Sequence, residues 1–184
     1  MNRTAIYLFA AALTTCTAVA GDTLQPGLTG RYYQMEGPLA DIPKLATGKK
    51  PTVERVDKQI NFASTLEAFP GTKLVDNFYV NWTGVIRIPK DGAYTFYLES
   101  DDGSRLFIDG KQVVDHGGLH DMTEMSDRVE LKAGDHEIKV EFFDAEEEAG
   151  CILSWETAGK VKEVVPASVL FHKAPSVPTP GSPP

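Results

Sequence analysis

The chain has 184 residues and a formal net charge of −8, because 26 acidic residues outnumber 18 Lys and Arg residues. Nucleic acids and anionic membranes are therefore poor partners, since both are polyanions that an acidic surface repels. The length fits one domain that is large enough to bury a hydrophobic core.

The N terminus has the pattern of a secretory signal peptide. Arg3 precedes an apolar run over residues 5–13, and small residues follow up to Ala18-Val19-Ala20. A positive charge, a short apolar run and an A-x-A site predict that residues 1–20 are cleaved off and that the protein is exported. The apolar run is shorter than the roughly 20 residues that cross a bilayer, and no later segment is longer, so no membrane span is predicted.

The two cysteines bear on export and stability. An alternative is a lipoprotein signal in which Cys16 is the lipid-modified residue. Thr15 disfavours this alternative, because Thr is a poor residue before such a cysteine. Removal of residues 1–20 leaves Cys151 alone, so no intrachain disulfide forms. Its apolar neighbours predict a buried, inert thiol. Stability must then come from core packing or from a bound metal ion.

Short segments with alternating apolar residues dominate the chain and are separated by turn residues about every ten positions. Alternation with a period of two is typical of strands that bury one face. The predicted strands cover residues 79–89, 93–99, 105–108, 111–114, 128–131, 136–143, 151–155 and 161–165. This pattern predicts an all-β fold, an antiparallel β-sandwich of the jelly-roll kind in a single domain.

The connecting segments have distinct compositions. Pro89–Gly92 and Asp109-Gly110 each predict a hairpin turn between two strands. Residues 38–51 lack periodicity and are predicted to wrap the sheets as a loop, whereas the Pro-rich residues 174–184 predict a flexible, extended tail. Alternation also predicts that four aromatic residues lie in the core, namely Trp82, Phe96, Phe107 and Trp155.

Residues 94–110 read YTFYLESDDGSRLFIDG. This segment resembles the signature of the PA14 domain family, named after the fourteen-kilodalton piece of anthrax protective antigen. Further segments resemble that family in the expected order, at residues 27–33, 77–84, 113–120, 131–134 and 138–143. The resemblance covers residues 27–172 and implies a β-sandwich over that range. Similar modules occur in yeast flocculins and adhesins, glycosidases, bacterial surface proteins and toxins, and most members studied for binding recognise sugars.

The resemblance also implies a metal site. In the adhesins of this family, two adjacent aspartates joined by a cis peptide bond hold calcium, and a later loop adds an Asn side chain and backbone carbonyls. Asp101 and Asp102 match the pair, Asp144 stands where the Asn would be, and Glu146 and Glu148 lie near the carbonyl donors. Calcium takes six to eight oxygen ligands, so these groups suit it chemically. Two vicinal sugar hydroxyls would complete the shell.

A sugar pocket needs more than the metal. The aromatic residue that often follows in the adhesins is absent from residues 144–150, although sugar sites commonly use an aromatic face against sugar C–H groups. We expect the loop over residues 115–127 to shape the pocket instead. The ligand-binding residues predicted there are His116, Gly117, Gly118 and His120.

The sequence therefore predicts a secreted, non-catalytic carbohydrate-binding domain that depends on calcium and binds glycans or polysaccharides. No nucleophile elbow, zinc-protease motif or phosphate-binding loop points to an enzyme. The alternative is a structural or protein-interaction domain of the cell envelope without a sugar site. In that case Asp101 and Asp102 only stabilise a turn. A third possibility is an accessory domain that acts beside an enzyme on another chain.

Overall fold

The computed structural model describes residues 23–174. The predicted signal peptide, the alternative lipidation site at Cys16 and residues 175–184 of the predicted tail lie outside this range. The described residues form thirteen strands and one short 3-10 helix at Ala167–Val169. The strands are β1 (Leu24–Pro26), β2 (Leu28–Gln34), β3 (Val53–Asp57), β4 (Asn61–Thr65), β5 (Phe78–Ile88), β6 (Gly92–Asp101), β7 (Ser104–Ile108), β8 (Lys111–His116), β9 (Thr123–Leu131), β10 (Gly134–Asp144), β11 (Ala149–Thr157), β12 (Glu163–Val164) and β13 (Leu170–Lys173).

The strands form two sheets. The larger sheet has the order β1-β13-β5-β10-β7-β8, and β2 also pairs with β5 and β3. The smaller sheet has the order β12-β11-β6-β9, with β4 beside β11. All of these pairings are antiparallel. The predicted all-β antiparallel sandwich is confirmed. Within residues 23–174, no helix is long and apolar enough to cross a bilayer.

The core lies between the sheets and follows the alternation of the strands. Trp82, Phe96 and Trp155 are buried in it, as predicted, and so is Cys151, where burial raises the pKa of the thiol. The prediction for Phe107 is wrong. Its neighbours on β7, Leu106 and Ile108, point into the core, so the period of two places Phe107 on the outer face. On that face, the Lys139 Nζ lies 3.8 Å from the centre of the Phe107 ring.

One of the two predicted hairpins is confirmed. β7 and β8 pair around Asp109-Gly110, where both residues have positive φ, as a two-residue hairpin turn requires. The predicted hairpin at residues 89–92 is wrong, because β5 and β6 belong to different sheets. β10 occupies one side of β5, and β2 and β13 share the other, so β6 has no free edge to join.

The predicted loop over residues 38–51 contains no strand. Its apolar side chains cover the outer face of the larger sheet, where Tyr33, Tyr79 and Phe143 form a second, smaller apolar cluster. The covering side chains of the loop are Leu39, Ile42 and Leu45, and Met35, just before the loop, packs beside them. This second cluster holds the loop over one end of the sandwich.

Candidate functional site

Two connections cross the same end of the sandwich side by side. The chain leaves β6 at Asp101, passes through Asp102 and Gly103, and enters β7 in the other sheet. The chain leaves β10 at Asp144 and returns to β11 through residues 145–148. Because β10 pairs with β7 and β11 pairs with β6, the two crossings must be neighbours. Residues that are more than 40 positions apart in sequence therefore meet at one site.

Asp102 joins the two crossings. The peptide bond between Asp101 and Asp102 is cis, as the resemblance implies. The Asp102 side chain is buried, and its Oδ2 accepts a hydrogen bond from the backbone N–H of Ala145 at 2.9 Å. Its Oδ1 accepts one from the backbone N–H of His120 at 3.0 Å. Both donors belong to other loops, so Asp102 organises the whole site rather than its own turn.

Asp144 is the last residue of β10, directly before Ala145, and is completely buried. Within the described residues, neither of its carboxylate oxygens has a hydrogen-bond partner. Burial raises the pKa of Asp144 to about 8, and the negative charges of Asp102, Asp76 and Asp101 add to the shift. Buried carboxylates are normally paired or bound to a metal, so an isolated one needs an explanation.

Asp101 lies closer to the solvent. Burial raises the pKa of Asp101 to about 6, and the charges of Asp102, Asp121 and Glu148 act in the same direction against a smaller opposing effect of His120. The carboxylates at this end thus repel one another. Among residues 23–174, no group of three or more His, Cys, Asp or Glu side chains already has an arrangement that would hold a metal ion.

An open cleft of about 1020 Å³ lies above these acids. Asp101 and Asp102 line it together with the loop after β10, which contributes Glu146 and Glu148. The Glu148 Oε2 accepts a hydrogen bond from the Ser64 hydroxyl at 2.6 Å, which ties that loop to β4. The remaining lining residues are Pro38, Leu39, Leu66, Leu119, His120, Asp121, Met122, Ala145 and Glu147.

Of the four predicted ligand-binding residues, only His120 lines the cleft among the described residues. The ring of His116 stacks on that of His120, with 3.9 Å between the ring centres, and burial and the neighbouring imidazole lower the pKa of His116. Gly117 packs tightly on the side chains of Asp41 and Arg105. Neither Gly117 nor His116 lines the cleft, and their contact with a ligand stays a prediction.

Gly118 is also placed beside the cleft rather than in it. A Cβ at Gly103 would lie 2.8 Å from the Gly118 carbonyl oxygen, so the two backbones touch and leave no room for a side chain at Gly103. Gly118 has a φ of 89°, which favours glycine. It shapes the loop that presents Leu119 and His120.

Sequence reasoning missed Leu66 and Leu119. Leu119 lies within the predicted pocket loop, and its apolar character between Gly118 and His120 is a signal in the sequence. Leu66 had no such signal, because only the pairing of β4 with β11 brings it to the cleft.

The described residues form a two-sheet sandwich with an acidic cleft beside its two crossing connections. A model of the PA14 domain family matches residues 24–168, so the chain belongs to the PA14 domain family. The resemblance seen in the sequence is confirmed.

This chain is similar to anti-sigma factor proteins and to a domain of an adhesin. Anti-sigma-I factor RsgI3 of Acetivibrio thermocellus is 35% identical over 97 residues, which are 52% of this chain and 15% of that protein. The structure of an anti-sigma factor domain-containing protein matches with a TM-score of 0.69 at 29% identity, over 84% of this chain and 51% of that chain. The PA14 sugar-binding domain from RTX adhesin matches with a TM-score of 0.70 at 18% identity, over 80% and 98% of the two chains, which shows the shared fold. The chain thus spans about half or less of its anti-sigma relatives.

Proposed function

We propose that this exported domain binds carbohydrate without catalysis, through a calcium ion held by Asp101, Asp102 and Asp144. Backbone carbonyls of Glu146 and Glu148 would add further oxygen ligands. The observation that carries the proposal is the Asp144 carboxylate, which is completely buried and has two unpartnered oxygens beside two other acids. A divalent cation is the partner that satisfies those oxygens and removes the repulsion among the three carboxylates.

The donor set fits calcium. All of its atoms are carboxylate or carbonyl oxygens, which a hard cation prefers. Each Asp102 oxygen accepts one hydrogen bond and keeps a second lone pair, while the Asp101 carboxylate faces the cleft. Three acids fall short of six to eight ligands, so water or sugar hydroxyls must complete the shell. When bound, the ion would coordinate two vicinal sugar hydroxyls in place of water molecules, at a small net cost in free energy.

The comparisons support carbohydrate as the ligand class. The RTX adhesin domain that shares this fold is described as sugar-binding. A specific observation favours a second candidate, a regulatory or protein-interaction domain of the cell envelope, because the relatives of higher identity are anti-sigma factors. Both candidates place the domain outside the cytoplasm. They are compatible if the domain binds sugar as the sensing part of a regulatory protein.

Calcium titration calorimetry on the chelator-stripped protein tests the metal site. We expect one calcium per chain, and loss of binding in Asp144→Ala and in Asp101→Ala, because alanine offers no oxygen ligand. The matched control is Asp135→Ala, because Asp135 lies at the opposite end of β10, roughly 30 Å away. Unchanged calcium affinity in both site variants would refute the proposed ligands.

A glycan array, probed with and without chelator, tests the ligand class. We expect binding that disappears with chelator and returns with calcium. If calcium binds but no glycan does under either condition, the protein-interaction candidate replaces the sugar-binding one.

A further inference from the structure

Two strongly exposed leucines lie in the cleft. Leu66 is 67% exposed and Leu119 is 58% exposed, so neither belongs to the core. Leu66 follows β4 and Leu119 follows β8, so separate loops present them. Single exposed apolar residues are common on protein surfaces. Two of them in one cleft, above the acids at Asp101 and Asp102, indicate a ligand that is polar on one side and apolar on the other.

The other residues that line the cleft are also divided into apolar and acidic ones. Pro38, Leu39 and Met122 add apolar surface, whereas no Phe, Tyr or Trp of the described range lines the cleft. A sugar ring presents hydroxyl groups along its edge and C–H groups on a face, and aromatic rings commonly pack on that face. Here aliphatic side chains are the available surface for that contact.

We infer that Leu66 and Leu119 contact the C–H face of a neutral sugar whose vicinal hydroxyls bind the calcium ion, an inference that rests on the proposed function. The sugar is neutral because the cleft carries more negative charge than one calcium ion balances. Asp121 and the three consecutive glutamates at residues 146–148 line it, and their carboxylates add to those of the three proposed aspartate ligands. A uronic acid would meet their repulsion.

Calorimetry with methyl glycosides of galactose, mannose, glucose, xylose and galacturonic acid, in saturating calcium, tests this inference. We expect the wild-type protein to bind at least one neutral glycoside and to bind the galacturonoside more weakly than the galactoside. Leu66→Ser and Leu119→Ser should each weaken neutral-glycoside binding by about tenfold, as expected for a largely buried aliphatic contact. The heat-capacity change of binding should become less negative, because less apolar surface is buried.

The matched control is Val161→Ser, since Val161 is 85% exposed and does not line the cleft. This variant should bind glycosides as the wild type does, and all three variants should keep their calcium affinity within about twofold. Melting temperatures exclude a folding defect. Wild-type glycoside affinity in both leucine variants overturns the inference and leaves the proposed function standing. Failure of the wild-type protein to bind any of the neutral glycosides overturns the inference, and failure on the glycan array as well overturns both.

Discussion

The Asp102 carboxylate accepts the backbone N–H of Ala145 at 2.9 Å and thereby joins the turn after β6 to the loop after β10. The second oxygen of the same carboxylate holds the backbone of His120. Three loops thus meet on one buried side chain. These two hydrogen bonds give Asp102 a structural role that is separate from its proposed role as a ligand.

Asp102→Ala should destabilise the protein even in chelator. The change leaves two backbone N–H groups without their charged acceptor, which costs about 2 to 4 kcal/mol in the free energy of unfolding. The matched control is Asp101→Ala, because within the described range the Asp101 side chain accepts no hydrogen bond. Urea unfolding in chelator measures both. Equal destabilisation by the two changes would contradict the separate role of Asp102.

The stability of the metal-free protein should fall as the pH rises from about 4 to about 8. The folded-state pKa of Asp144 is about 8, whereas the carboxyl of an unfolded chain titrates near 3.8. Between those values the folded state keeps a proton that the unfolded state has lost, so raising the pH favours unfolding. Asp101, with a pKa of about 6, acts in the same direction over the lower part of this range. The loss should amount to several kcal/mol, because each unit of difference between the folded and unfolded pKa corresponds to about 1.4 kcal/mol.

Thermal unfolding in chelator across pH 5 to 9 measures this effect. Asp144→Asn should flatten the curve between pH 6 and 8, because the group that titrates there is gone. Calcium should also bind more tightly as the pH rises through about 8, since the ion replaces the proton on Asp144. A variant curve parallel to the wild-type curve would exclude Asp144 as the source of the slope.

The sequence predicted the sandwich because alternation with a period of two is a local property of each strand. Local patterns did not reveal which strands share a sheet. The composition of residues 89–92 suits a hairpin, yet the same residues turn the chain from one sheet to the other. Asp91 fixes that crossing by accepting hydrogen bonds from the backbone N–H of Ala133 at 2.8 Å and from Lys132 at 2.9 Å. Such a contact between distant segments has no signature in a single sequence.

The site residues of the family motif could be predicted from the sequence, but their surroundings could not. The resemblance placed Asp101, Asp102 and Asp144 together, because the family motif fixes their strands. Neither the burial of Asp144 nor its lack of partners could be predicted, since both depend on how the two crossings pack. The cleft contact of Leu66 depends on the pairing of β4 with β11 and was equally out of reach.

Asp57→Ala should be among the most destabilising single changes in the domain. The buried Asp57 carboxylate accepts hydrogen bonds from Trp82 Nε1 at 2.8 Å and from the Tyr32 hydroxyl, and it pairs with Arg55 Nε at 2.8 Å. Removing it leaves buried donors and a partly buried cation without an acceptor, which costs about 3 to 5 kcal/mol. Urea unfolding measures the loss. The exposed pair between Arg31 and Glu54 offers a control, because Glu54→Ala should cost less than about 1 kcal/mol.

Arg105 connects two loops that line the cleft. Its Nε donates a hydrogen bond to the Asp115 carboxylate at 2.8 Å, next to the loop of residues 117–122. One terminal nitrogen lies 3.1 Å from both carboxylate oxygens of Asp41. Asp41 belongs to the loop that contributes Pro38 and Leu39 to the cleft. Gly117 packs against this guanidinium, so a side chain there would displace it. The position of both loops therefore depends on one cation.

Arg105→Gln should loosen these loops while the sandwich stays folded. The glutamine side chain is too short and lacks the charge to bridge two carboxylates, which then repel each other. Hydrogen exchange followed by mass spectrometry should show faster exchange in residues 36–50 and 117–122, with little change in β5 and β10. Arg87→Gln, which breaks an exposed ion pair with Asp135 far from the cleft, should leave exchange in both loops unchanged. Wild-type exchange rates in both loops of Arg105→Gln would contradict this prediction. The packing of Leu39 and Ile42 on the second cluster would then keep the loops in place without the Arg105 ion pairs.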